Sequence, residues 1–175
     1  MPWSDHHRRA ARYNRWINHS LYQVCMTLDD QQLNQDVGLF FGSINGCWNH
    51  LVITDLLWLS RMSNAYPILE ELHNIEFPRK LDGHISDDIR QLWALREKID
   101  DVLIRWCDLL RQSDATAVIE YRSTAGDDYA KTLDQVLQHL FNHQTHHRGQ
   151  ITAALSALKI NFGATDLLFA PLDDG

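Results

Sequence analysis

The chain has 175 residues and a mass of 20.4 kDa, the size of one ordinary domain, and residues 1–175 are read as a single unit. Hydrophobic residues make up 45% and charged residues 22%, with 8 Gly and 4 Pro, which excludes collagen, low-complexity disorder and a disulfide scaffold. The net charge of −7 argues against a nucleic-acid partner, and no apolar run approaches the roughly 20 residues of a membrane span.

Taken in chain order, the dominant signal is helical periodicity. Tyr13, Trp16, Ile17, Leu21, Val24 and Leu28 recur in steps that form one stripe, and predict a helix from about Ser4 to Leu28 with Ser4 as N-cap. Asp29 to Gly42 reads as a long loop ending in Phe40-Phe41-Gly42, whose two rings suit either an interface or packing on their own bundle. Ser43 can cap a second helix running to about Ser63, with Ile44, Cys47, Trp48, Leu51, Leu57 and Trp58 apolar. Pro67, Glu70-Glu71 and Pro78 make the next stretch irregular.

Ser86-Asp87-Asp88 opens a third helix with the stripe Ile89, Leu92, Trp93, Ile99, Leu103, Trp106 and Leu110. Ala117 to Gly126 alternates and is β-branched, which predicts a short strand or one arm of a hairpin. A fourth helix runs from Thr132 to about Leu158, and the tail from Asn161 is a loop with one helical turn before Pro171. Four long amphipathic helices with one long first crossover describe an all-α four-helix bundle.

Three cysteines, Cys25, Cys47 and Cys107, form no CxxC motif and suit free thiols in a reducing compartment. The opening MPWSDHHRRAARYNRW has no apolar run behind its basic residues and does not read as a signal peptide. A cytoplasmic location is expected.

Ten histidines stand out, and the fourth helix holds the informative ones. Its apolar stripe reads Val136, Leu140, His143, His147, Ile151, Ala154, Leu158. Two imidazoles therefore occupy core-facing positions one turn apart, about 5–6 Å between Cβ atoms, close enough to share one metal ion. A buried polar group without a partner costs roughly 1–3 kcal/mol. A metal ligated by neutral imidazoles removes that cost; hydrogen bonds to carbonyls, hydroxyls or each other are the alternative. His50, mid-helix between Trp48 and Leu51, is the candidate third ligand. Cys47 faces the same way and is either a fourth ligand or, the favoured reading, a small core thiol. His139 and His146 sit at the edge of the stripe as flanking groups. Asp55 lies too far round to share the metal and is read as a cap on a neighbouring helix or a partner of a ligand imidazole; Gln144 is another candidate to orient ligands. His6, His7, His19, His73 and His84 are read as solvated surface groups, and Trp16, Trp48, Trp58, Trp93 and Trp106 as core packing. His143-Gln144-Thr145-His146-His147 lacks the glutamate of HExxH metalloproteases; the Glu-x-x-His repeats of di-iron bundles and GxSxG are missing too.

Several blocks resemble one known family. Tyr13-Asn14-Arg15-Trp16-Ile17-Asn18, then Phe41-Gly42-Ser43-Ile44, Asn49-His50-Leu51, Asp55 and Trp58-Leu59, and above all His139-Leu140, Asn142-His143 and Thr145-His146-His147-Arg148-Gly149-Gln150 are similar to the DinB-like (DinB/YfiT) metal-binding family. Thr165-Asp166-Leu167 resembles its closing segment. The resemblance implies an up-and-down variant of the four-helix bundle, commonly a homodimer, with a divalent metal, often zinc or nickel, on three histidines. Transferred residue by residue, those are His50, His143 and His147. Some relatives are thiol transferases that use bacillithiol, mycothiol or glutathione, so a small-molecule substrate with a low-molecular-weight thiol is one expectation and hydrolysis by activated water another. A non-catalytic metal-binding stress-response bundle is the alternative. No particular catalytic residue is assigned.

Overall fold

The computed structural model of the protein describes residues 1–172. Four long helices dominate: α1 (Trp3–Cys25), α3 (Ile44–Met62), α4 (Ile89–Leu109) and α5 (Leu133–Ala157), with a short α2 (Asp30–Asn34) in the first crossover. α1 packs against α4 and α5, and α3 packs against the same two, so the long helices close a ring in the order α1, α4, α3, α5. Hydrogen bonds fix their directions. Trp3 reaches Asp134 near the start of α5, and Arg148 further along α5 reaches Asn14 and Asn18, so α1 and α5 run the same way. Arg12 pairs with Asp108 while Asn18 pairs with Asp100, so α4 runs opposite to α1. Asn45 bonds the Asp87 carbonyl and Asp55 pairs with Arg96, which sets α3 parallel to α4. The bundle is thus up-down-down-up.

The helix boundaries follow from capping chemistry. Ser43 accepts from the Gly46 amide and starts α3 where expected; Asp88 caps α4, and Thr132 with Gln135 forms a capping box at the start of α5. α1 differs from expectation at both ends. It begins at Trp3 behind Pro2, with Ser4 inside the first turn, and it stops at Cys25 rather than Leu28. The stretch after it is not all loop: Asp29 and Gln32 form a capping box that starts α2. The predicted strand is Val118–Arg122 (β1), and it pairs antiparallel with a second arm, Asp128–Thr132 (β2), in the register Val118↔Thr132. A helical turn at Leu167–Phe169 precedes Pro171.

Two apolar clusters fill the bundle. One gathers Val52, Leu56, Leu59, Leu103, Trp106, Leu137 and Leu140 at the hairpin end; the other gathers Ile17, Leu21, Trp48, Leu51, Leu92, Ile151 and Leu155 at the opposite end. Trp48 and Trp106 are buried as expected, while Trp16, Trp58 and Trp93 pack on the clusters half-exposed. Between the clusters lies a buried polar layer. Arg96 pairs with Asp55 at 2.5 Å and with Asp100 at 2.9 Å, all three essentially without solvent contact. Asn14 and Asn18 donate to Asp100, and their side-chain oxygens accept from Arg148. Two carboxylates and two guanidiniums balance, which is what makes such a layer tolerable in an apolar interior.

Candidate metal centre

The polar layer adjoins a cluster of three imidazoles. α5 places His143 and His147 one turn apart toward α3, and α3 brings His50 to meet them. The Nε2 atom of His143 lies 3.2 Å from that of His50 and 3.1 Å from that of His147. One ligand nitrogen from each ring can be chosen so that all three fall within 4.8 Å of one another.

The far side of two rings is pinned. Nδ1 of His50 donates to the Leu81 carbonyl at 2.7 Å, and Nδ1 of His147 donates to Gln150 Oε1 at 2.9 Å. With the proton held on Nδ1, Nε2 of each ring presents a lone pair inward. A single ring proton on His143 can satisfy one of those lone pairs, not both. Two nitrogens each about 2.0–2.1 Å from one zinc ion at the tetrahedral angle lie about 3.3 Å apart. The two spacings to His143 match that figure and all three ligand atoms can lie within 4.8 Å of one another, so the donor set can hold a divalent ion.

Electrostatics keep the rings neutral. Burial, reinforced by neighbouring His147 and opposed by the Leu81 carbonyl, lowers His50 to about 4. Burial and then the imidazoles of His147 and His50 lower His143 to about 3, and burial lowers His147 as well. Neutral rings are the form that ligates metals. The Phe41 ring stacks on His50 at 3.8 Å between centroids, nearly parallel, and covers the site's outer side. Gly46 permits this approach, because a Cβ there would overlap the Phe41 carbonyl oxygen.

The remaining sequence candidates divide clearly. Asp55 neither caps a helix nor touches a ligand ring; its carboxylate takes Arg96 and the Gln144 amide inside the polar layer. Gln144 is fully buried and committed to Asp55 and Arg148, not to a ligand. Cys47 is a core thiol: it is buried, its Sγ sits 3.8 Å from Gln150 Oε1, and burial pushes it up to about 11. His139 and His146 are exposed flanking groups, their rings 5.6 Å from His143 and 4.8 Å from His147. Phe41 packs on its own bundle while Phe40 is 84% exposed. His6, His19, His73 and His84 are exposed as expected, but His7 is not. It is buried against Trp3 and Phe141, with Asp134 3.7 Å away, beyond hydrogen-bond reach. Its stepwise neighbours Ala11, Asn14 and Asn18 are also buried, so it lies on the inner face of α1, a signal hidden by its basic surroundings.

Three supporting contacts escaped the sequence reading. Gln150 stands at i+3 from His147 and could have been found by helix geometry. The Leu81 carbonyl and the Phe41 stack depend on loops that return to α3, and no residue pattern announces them.

A helical bundle whose middle carries three converging imidazoles defines the class. The chain belongs to the DinB family, whose sequence profile matches residues 3–170. It is similar to Protein DinB of Bacillus subtilis (strain 168), at 22% identity over 162 residues, covering 87% of this chain and 86% of the relative. It shares its fold with the crystal structure of a DinB-like protein from Bacillus cereus, at 18% identity and a TM-score of 0.56, covering 85% of this chain and 90% of the other. Among the described residues, no helix is long and apolar enough to cross a membrane.

Proposed function

We propose that the protein is a metal-dependent enzyme that binds a divalent ion, zinc or nickel, through His50, His143 and His147, and activates a thiol or water for attack on a small electrophilic substrate. The observation that carries this reading is that His143 Nε2 lies 3.2 Å from His50 Nε2 and 3.1 Å from His147 Nε2, with the outer two rings held by Nδ1 donation. Three protein ligands leave coordination open, the pattern of catalytic rather than structural sites, and an ion there lowers the pKa of a bound thiol or water. The chain's own part is to hold the imidazoles neutral and oriented: Leu81 and Gln150 fix the rings, and Phe41 limits water on one side.

Elemental analysis of untagged protein should return one ion per chain, and His147→Ala should lose it. The loaded protein is then screened with thiols plus electrophiles and with simple esters and amides. Full metal content in His147→Ala would refute the ligand set, and no turnover with any metal would refute the enzyme.

A second reading, a non-catalytic metal-binding stress-response bundle, is favoured by one observation. Asp55 and Gln144, two of the candidates to orient ligands or move a proton, are turned into the core and bonded there. The homodimer implied by the family is part of the same proposal; the exposed Phe40 beside the site supports it, and sedimentation measures it. Buried free thiols at Cys25, Cys47 and Cys107 support the cytoplasmic assignment.

A further inference from the structure

The back of α5, away from the imidazoles, lines a cavity of about 860 Å³ shared with α1 and the C-terminal tail. Phe141, Thr145 and Arg148 all line it, and on an α-helix they lie about 160°, 200° and 140° round from His143. The cavity is therefore separate from the candidate metal centre. Its size falls within the roughly 300–1,000 Å³ usual for small-molecule sites.

The lining has a consistent chemistry. In a chain of net charge −7, no Asp or Glu is present among its described lining residues. Arg148 is 4% exposed, and its hydrogen-bond partners are all neutral oxygens: Asn14, Asn18, Gln144 and Thr145. Asn14 and Asn18 stand between it and Asp100, whereas Arg96 touches two carboxylates directly. Burial lowers Arg148 to about 10, opposed by Tyr13 and by Asp100 and Asp55, which balance its charge within the layer without touching it. His7, 1% exposed, also lines the cavity, and neither ring nitrogen has a hydrogen-bond partner. The lining also carries the polar or charged side chains of His6, Arg9, Gln138 and Asn142, beside the apolar Phe141 on the wall and Leu168, 92% exposed, on the tail.

A buried guanidinium, no acid among the described lining residues, and the apolar surface of Phe141 and Leu168 call for a ligand with one negative end and a hydrocarbon body. We propose that this cavity is a second, metal-independent binding site for a small amphipathic carboxylate, held by Arg148 at its charged end and by Phe141 and Leu168 along its body.

Calorimetry on the full chain with octanoate and 4-phenylbutyrate, and with 1-octanol as the neutral control, tests it. Saturable one-to-one binding of the carboxylates is expected, with octanoate about tenfold or more tighter than octanol, the worth of one charge-assisted hydrogen bond. Arg148→Gln should erase that difference. Because Arg148 also supports the polar layer, Leu168→Asp provides an independent test: at an exposed position it should weaken octanoate about tenfold with an unchanged melting temperature, by like-charge repulsion. His143→Ala should leave octanoate binding as it was. Equal binding of octanol, absence of saturable binding, or loss of octanoate in His143→Ala would each overturn the proposal. So would sedimentation showing that Leu168→Asp splits a dimer, since the cavity would then be covered by a second copy.

Discussion

Gln150 accepts the Nδ1 proton of His147 at 2.9 Å from the next turn of the same helix. That contact decides which nitrogen of His147 faces the cluster. Gln150→Ala removes it and lets the ring take either tautomer. Metal affinity is expected to fall about 10–100-fold with the fold intact, the usual cost of losing such a partner. Competition against a chromophoric chelator measures it, and an unchanged affinity would show that the orientation of His147 is set elsewhere.

Arg96 ties the two acidic side chains of the polar layer together. Arg96→Met leaves Asp55 and Asp100 buried with one cation fewer. A loss of about 3–5 kcal/mol is expected, as for other broken buried pairs. Urea unfolding reads it directly, and a change below about 1 kcal/mol would mean that solvent reaches the layer.

His7 makes stability depend on acid. Burial is the main cause that lowers it from 6.5 to about 4, with His6 adding to the effect and Asp134 opposing it. A base with a depressed folded pKa takes up its proton more readily when unfolded, so its contribution is complete above pH 6.5 and is lost as pH falls toward 4. The loss between pH 7 and pH 4 from this residue is about 3 kcal/mol. His7→Phe should flatten the pH dependence of the unfolding free energy by that amount. Equal slopes for the two proteins would place the acid sensitivity in other groups.

Arg61 lies over two rings, Trp58 at 4.6 Å and Tyr121 at 4.8 Å, and so joins α3 to the hairpin. Partly exposed contacts of this kind contribute about 0.5–1 kcal/mol. A double-mutant cycle of Arg61→Met with Tyr121→Leu should return a coupling of that size. A coupling of zero would mean that the hairpin is held by Ile119 and the Trp58–Tyr121 ring contact at 5.0 Å rather than by the cation.

The three imidazoles were legible because His143 and His147 interrupt an apolar stripe and His50 sits within a helix flanked by Trp48 and Leu51. Helix periodicity carries both facts. The environment of Asp55 was not legible: its partner Arg96 is 41 positions away, and nothing local marks an arginine as buried. α2 was missed although Asp29 and Gln32 hold the spacing of a capping box, since the segment has only Leu33 as a buried anchor. A short hairpin between the third and fourth long helices was legible in part, but the residues of its second arm, β2, were not, for a related reason. None of its residues is fully buried, so no alternation of apolar and polar positions betrays it.

His50 and His143 are 93 residues apart in the chain and come from helices that run in opposite directions. An ion gripped by both would act as a reversible crosslink, one that the unfolded polypeptide has no preformed means to retain. By mass action the melting temperature would then climb with the concentration of free cation, and a chelator alone would soften the whole bundle.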